Sequence, residues 1–213
     1  ADADADVEQT GQQNYSSIEQ TAGAGGASAT VRQTNTLVEA DAADLNNSII
    51  TQSADSSAFV EQIGQGNSSN VNQEAASLAY RGGDSVAARV SQNGNDSSSD
   101  IDQLGADNYA SLEQSAGTSN NRSSIQQTGT NGLTDVAQNG SGNESDVFQG
   151  GDMNNAYVTQ NGSGNDSTVT QTALSSGNTA TVTQHSDNNT SFVTQSGSGN
   201  TATVTQGSPT IGG

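Results

Sequence analysis

The chain has 213 residues, with 23 acidic against 4 basic side chains (formal net charge −19), no cysteine, no tryptophan, one proline and 25 glycines. Leu, Ile, Val and Phe total 31, too few for an ordinary globular core to offset chain entropy, and the acidic excess works against binding nucleic acid or anionic membrane. No apolar run approaches the ~20 residues of a membrane span, and without cysteine neither a disulfide scaffold nor a thiolate metal site can form.

What remains is a disordered acidic chain or a repetitive fold that buries small and polar side chains in ladders, and periodicity selects the second. The tripeptide apolar-x-Gln opens at Val7-Glu8-Gln9 and recurs with its glutamine at Gln20, Gln33, Gln52, Gln62, Gln73, Gln92, Gln103 and Gln114. It continues at Gln127, Gln138, Gln149, Gln160, Gln171, Gln184 and Gln195, and ends at Val204-Thr205-Gln206. Most successive glutamines lie 11 residues apart. Two gaps of 19, Gln33 to Gln52 and Gln73 to Gln92, read as containing degenerate copies around Val38 to Ala40 and Leu78 to Tyr80, which gives 19 units.

Each unit alternates with period two. The residue two before Gln is apolar and mostly β-branched, the residue four before is Ala, Ser or, once, Thr134, and Asn often stands six before, as at Asn143, Asn154, Asn165, Asn178, Asn189 and Asn200. These four positions share one face of a strand, and the Thr, Ser, Asp and Glu between them point to water. Gly two after Gln (Gly105, Gly129, Gly140, Gly151, Gly162) supplies turn chemistry. The small residue alternates, as in Ala156, Ser167, Ala180, Ser191 and Ala202, so the structural period is two units, about 22 residues.

The expected fold is therefore all-β: a solenoid of stacked strand-turn-strand coils with two facing parallel sheets. Stacked in register, the Gln and Asn amides can bond to the copies above and below, so a polar interior is satisfiable. The expectation is one domain over 1–213, with short tails at 1–4 and 207–213. No capping motif flanks the units, and an uncapped solenoid is expected to stack head-to-tail without closing, with Val7, Gln9, Val204 and Gln206 at the contact. On the 19-unit count, Glu19, Glu39 and Glu61 fall in one sheet on neighbouring coils, an acidic row whose ionisation would resist assembly.

Nothing in the chain suits catalysis. His185 is the only histidine and follows Gln184 in a turn, there is no lysine, and the usual triads and His-based zinc sites cannot be assembled. Gly162 to Asp166 has the flavour of a calcium-binding nonapeptide roll, but the step is 11 rather than nine and Asp does not recur. No cofactor or metal is expected. The Thr row Thr159, Thr170, Thr183, Thr194 and Thr205 supports an alternative, an ice-binding solenoid; the shaft of a surface adhesin is a third.

The motif resembles the curlin repeat of the curli family, the secreted amyloid-fibre subunits of bacterial biofilms. The resemblance is carried most clearly by Gln160-Asn161-Gly162-Ser163-Gly164-Asn165 followed by Val169 and Gln171. It recurs at Gln138 to Asn143 and at Gln195 to Asn200 with Ala202 and Gln206 after it. It implies a major fibre subunit at the bacterial cell surface, a homopolymer that works with a nucleator subunit, a periplasmic chaperone and an outer-membrane secretion pore. The chain departs from the family in having nearly ten two-strand repeats where about five are typical.

Overall fold

In the computed structural model the described residues are 3–21, 26–35, 45–75, 87–115 and 117–207. They form 17 strands and no helix. The odd strands, β1 (Asp4–Thr10), β3 (Ser28–Thr34), β5 (Ser57–Ile63), β7 (Ala88–Gln92), β9 (Tyr109–Gln114), β11 (Leu133–Gln138), β13 (Asn155–Gln160), β15 (Thr179–Gln184) and β17 (Thr201–Gln206), make one nine-stranded sheet in that order. The even strands, β2 (Asn14–Gln20), β4 (Asn46–Gln52), β6 (Ser68–Gln73), β8 (Ser98–Gln103), β10 (Arg122–Gln127), β12 (Glu144–Gln149), β14 (Asp166–Gln171) and β16 (Thr190–Gln195), make an eight-stranded sheet.

All pairings are parallel and like residues stand over like: Val136 on Val158 and Gln138 on Gln160 in the odd sheet, Ser145 on Ser167 and Val147 on Val169 in the even one. Consecutive strands therefore alternate between sheets, and one coil is strand, turn, strand, turn. From β9 onward the paired residues lie 22 or 24 apart in sequence, as in Val136 with Val158 and Val158 with Val182. The β-solenoid expected from period two is the fold, and the family of β-branched residues at one position explains why strands, not helices, form.

The 19-unit count is corrected. Val38 to Ala40 and Leu78 to Tyr80 lie outside the described residues, but β2 pairs directly with β4, β3 with β5, β5 with β7 and β6 with β8, so neither sheet has a rung between them. Gln33 and Gln52 thus fall in opposite sheets. The proposed acidic row goes with the count: Glu19 stands beside Thr51 in the even sheet, and Glu61 beside Arg32 and Ser91 in the odd one. Glu39 lies outside the described residues. A signal for 17 rungs was present, since Ala and Ser alternate strictly through Ala5, Ser16, Ala29, Ser48, Ala58, Ser69, Ala88 and Ser99; two further units would break that order.

The core is a narrow apolar seam. Val31, Val60, Val90, Leu112, Val136, Val158 and Val182 of the odd sheet meet Ile50, Val71, Ile101, Ile125, Val147 and Val169 of the even sheet, all buried. Ala fills the small position of the odd sheet and Ser that of the even sheet, which lets the sheets approach closely. The turns pack as tightly: a Cβ on Gly105 would lie 1.8 Å from the carbonyl oxygen of Gly129, and one on Gly129 2.0 Å from that of Gly151. Gly two after Gln is thus needed for close approach of stacked turns.

Candidate functional site: amide ladders and two rims

Each sheet carries an unbroken line of glutamine side chains. In the odd sheet Nε2 of Gln9 donates to Oε1 of Gln33, and the same bond runs on through Gln62, Gln92, Gln114, Gln138, Gln160, Gln184 and Gln206 at 2.7 to 3.0 Å. In the even sheet it runs from Gln20 through Gln52, Gln73, Gln103, Gln127, Gln149 and Gln171 to Gln195 at 2.8 to 3.0 Å. The donor always belongs to the earlier strand. Both ladders are therefore polar in the same sense.

A second bond from the same amide was not legible in the sequence. Nε2 of each glutamine from Gln20 onward also reaches across the core to the main-chain carbonyl five residues before the preceding glutamine: Gln114 to Ser98 at 3.2 Å, Gln127 to Tyr109 at 2.9 Å, Gln138 to Arg122 at 3.0 Å. One amide proton binds along its own sheet and the other staples that sheet to its partner. Which carbonyl lies opposite depends on how the two sheets face, and no spacing in one strand encodes that.

The amide-to-amide stacking expected of asparagine is present where Nδ2 of Asn189 donates to Oδ1 of Asn165 at 3.0 Å and Nδ2 of Asn46 to Oδ1 of Asn14 at 3.3 Å, and a bond to the main chain recurs beside it. Oδ1 of Asn143 accepts the backbone N–H of Asn165 at 2.9 Å, Oδ1 of Asn165 that of Asn189 at 2.9 Å, Oδ1 of Asn154 that of Asn178 at 3.0 Å, and Oδ1 of Asn178 that of Asn200 at 2.7 Å. The side chain is one methylene shorter than Gln and sits at the turn–strand boundary, so main-chain donors one rung up are its nearest partners. In the same turns Nδ2 of Asn178 donates to the carbonyl of Gly197 at 2.8 Å.

The small column is asymmetric. The hydroxyls of Ser48, Ser69, Ser99, Ser123, Ser145, Ser167 and Ser191 in the even sheet are buried without a hydrogen-bond partner. Thr134, the one hydroxyl in the alanine column, instead lies between two glutamines, donating to Oε1 of Gln149 at 3.0 Å and accepting from Nε2 of Gln127 at 3.3 Å.

The ladders end at two unlike rims. At the first, every residue of β1 is exposed and Val7 keeps 44% of its surface; among the described residues no donor reaches Oε1 of Gln9 or Gln20. Its outward side chains include four acids, Asp4, Asp6, Glu8 and Glu19, beside Tyr15 and Ser17, with Glu8 3.7 Å from Arg32. At the second, Val204 is only partly buried and Gln206 uses its Nε2 for the carbonyl of Thr190 at 2.8 Å, leaving its second N–H directed at no described acceptor. The outward residues there are Thr190, Phe192, Thr194, Thr201, Thr203 and Thr205, with no charge among them. Val7, Gln9, Val204 and Gln206 thus stand at opposite ends of one molecule.

The outer faces carry scattered features. Phe59 lies between the guanidinium groups of Arg32 and Arg89, 5.6 and 5.5 Å from its ring centre, and Arg122 pairs with Glu144. Thr179, Thr181 and Thr183 lie beside Thr201, Thr203 and Thr205, but this Thr grid is two strands deep and gives way to Asn155 and Tyr157 on β13. His185 lies 3.4 Å from Asn161 in a turn. Among the described residues there is no cluster of His, Asp and Glu that could hold a metal ion, and no helix long and apolar enough to cross a membrane.

The family model of the curlin associated repeat matches the chain at residues 94–129, 129–160, 146–172 and 176–207. No curated protein matches it.

Proposed function

Because the chain belongs to the curlin associated repeat family, a family of structural fibre subunits, we propose that it is the main subunit of an extracellular amyloid-like fibre that grows by head-to-tail stacking of the whole solenoid. The fibre serves a bacterial surface as biofilm matrix and adhesive. The chain acts as one solenoid unit, and its activity is self-association.

One observation carries this reading: both glutamine ladders run with the donor on the earlier strand, so the first rim offers amide oxygens and the last rim an amide hydrogen. A second copy placed above the last rim continues the ladder and the parallel strand edges together. Charge favours the same arrangement. The acidic first rim meets a neutral one, whereas first rim on first rim would bring Asp4, Asp6 and Glu8 of two copies together. The contact is heterologous and does not close, which yields a filament. A nucleator, a periplasmic chaperone and an outer-membrane pore are the partners such a subunit would use, by family resemblance.

Electron microscopy and fibre diffraction of the purified chain test this. Unbranched filaments with a meridional reflection near ~4.8 Å support it; a chain that stays monomeric at high concentration rules it out.

A further inference from the structure

Among the described residues the two sheets have nine and eight strands, and that odd total constrains how one subunit meets the next. Successive strands alternate sheets, so β17 stands half a rung above β16, and β1 half a rung below β2. Suppose a second subunit is set with its β1 over β17, odd sheet on odd sheet. Then β16 and the second subunit's β2 are two rungs apart, roughly 9.6 Å instead of roughly 4.8 Å. Two strand edges face an unfilled slot one strand wide, with Val193 and Ile18 opening into it. Residues 207–213 do not carry the apolar-x-Gln pattern.

Resting on the head-to-tail reading, we propose that successive subunits are related by a half-turn about the fibre axis, so that the nine-stranded sheet of one continues into the eight-stranded sheet of the next. The rotated subunit lays its β1 over β16 and its β2 over β17. Every rung is then one spacing from its neighbour, and the winding continues with the same hand.

The side chains fit this joint. Gln195 meets Gln9, Gln206 meets Gln20, Val193 meets Val7 and Val204 meets Ile18. The only change of type is at the small column, where Ser191 meets Ala5 and Ala202 meets Ser16. That exchange is mild: the Ser191 hydroxyl makes no hydrogen bond, the Ser16 hydroxyl accepts from Nε2 of Gln9 in its own chain, and the alanine column already accepts Thr134.

The turns give a second, independent observation. Gly11, two after Gln9, has φ +88°, and a Cβ there would lie 2.0 Å from the carbonyl oxygen of Asn35 on the rung above. Gly197, two after Gln195, has nearly the same φ, +90°, yet among the described residues only the Asn200 side chain comes within 4 Å of such a Cβ. Gly197 leaves the room for a rung above it on the even-sheet side. Only the half-turn joint supplies that rung at single spacing, with Gly11 of the next subunit above it.

Cysteine pairing distinguishes the joints, since the chain has no native cysteine and stacked residues about 4.8 Å apart are within disulfide reach. Thr205 stands outward on β17; the half-turn joint places Glu19 of the next subunit above it, and the unrotated joint places Glu8 there. Filaments of the T205C/E19C chain, oxidised and dissolved in denaturant without reductant, are expected to run as a covalent ladder on a gel. Filaments of the T205C/E8C chain are expected to run as monomer. A ladder from T205C/E8C, or none from T205C/E19C in well-formed filaments, overturns the half-turn. Helical reconstruction of parent filaments reads the joint without substitution: a nine-stranded sheet running into an eight-stranded one supports it, and like sheets meeting across a gap overturn it. Absence of filaments from the parent chain refutes the assembly reading instead, and the joint with it.

Discussion

The side-chain amide of Gln138 donates to Oε1 of Gln160 and to the main-chain carbonyl of Arg122, each at 3.0 Å, while its own Oε1 accepts Nε2 of Gln114 at 2.9 Å. One buried side chain thus joins three strands in two sheets. This explains how a chain so poor in large apolar residues encloses a polar interior: the amides are satisfied by their own copies and by the facing backbone.

Replacing Gln138 with Leu leaves one N–H of Gln114 and Oε1 of Gln160 without their partner in the buried ladder and removes the bond that staples it to the Arg122 carbonyl. At ~1–3 kcal/mol for each group left unsatisfied, Gln138→Leu is expected to lower unfolding stability by roughly 3 kcal/mol or more, read by denaturant titration. A loss near zero would mean the ladder is not structural.

The serine column predicts the opposite sign. The Ser145 hydroxyl is buried without a partner, so Ser145→Ala removes a desolvated polar group and is expected to be neutral or stabilising by up to ~1 kcal/mol. The same titration checks it. A clear destabilisation would show that the hydroxyl has a partner after all.

Glycine substitutions separate close approach from backbone conformation. A Cβ on Gly129 would meet the carbonyl oxygen of Gly151 at 2.0 Å, whereas Gly142, at φ +66°, has nothing within 4 Å. Gly142→Ala is expected to cost about 1 kcal/mol for the left-handed conformation alone. Gly129→Ala, which must push stacked turns apart, is expected to cost more, roughly 2–3 kcal/mol. Equal losses would contradict the packing argument.

Asp102 gives a pH dependence. Burial, reinforced by the neighbouring charge of Asp100 and by Glu74, pushes its carboxyl above the ordinary value of 3.8, with a hydrogen bond from Asn72 pulling the other way. A carboxyl raised in the folded state binds its proton more tightly there than in the unfolded chain. Its ionisation therefore costs stability above the raised folded value, and that cost disappears as pH falls through it toward the unfolded value. Asp102→Asn is expected to be more stable than the parent at pH 7, with the difference closing as pH falls toward the ordinary carboxyl value of 3.8. A constant or widening gap would contradict this.

Period-two patterning made the coil legible, because Asn-x-Ala-x-Val-x-Gln can face a core only as a strand, and alternation of Ala110 with Ser123 separates two sheets. The long gaps misled. Val38 and Leu78 carry the right offset for a rung, yet Ala29 and Ser48 already alternate across the first gap without one. The partners of Asn165 and the cross-sheet bond of Gln138 were not legible, since they depend on side-chain length at the turn boundary and on how opposite sheets face. The joint depends on whether the rung count is odd, which a two-unit error in 19 does not alter. What the error does move is Glu61, from a row of acids to a place beside Arg32.

The rim glutamine tests the account most directly. Gln206→Lys turns an ammonium into the amide ladder at every subunit contact, where the groups it faces are neutral amides and the acids of the first rim point outward, while Leu174→Lys alters a turn residue that is 94% exposed. In seeded growth followed by light scattering and microscopy, Gln206→Lys is expected to elongate about tenfold or more slowly than the parent, with Leu174→Lys growing at the parental rate. If Gln206→Lys filaments lengthen as fast as the parent, the rims do not meet through their amide ladders.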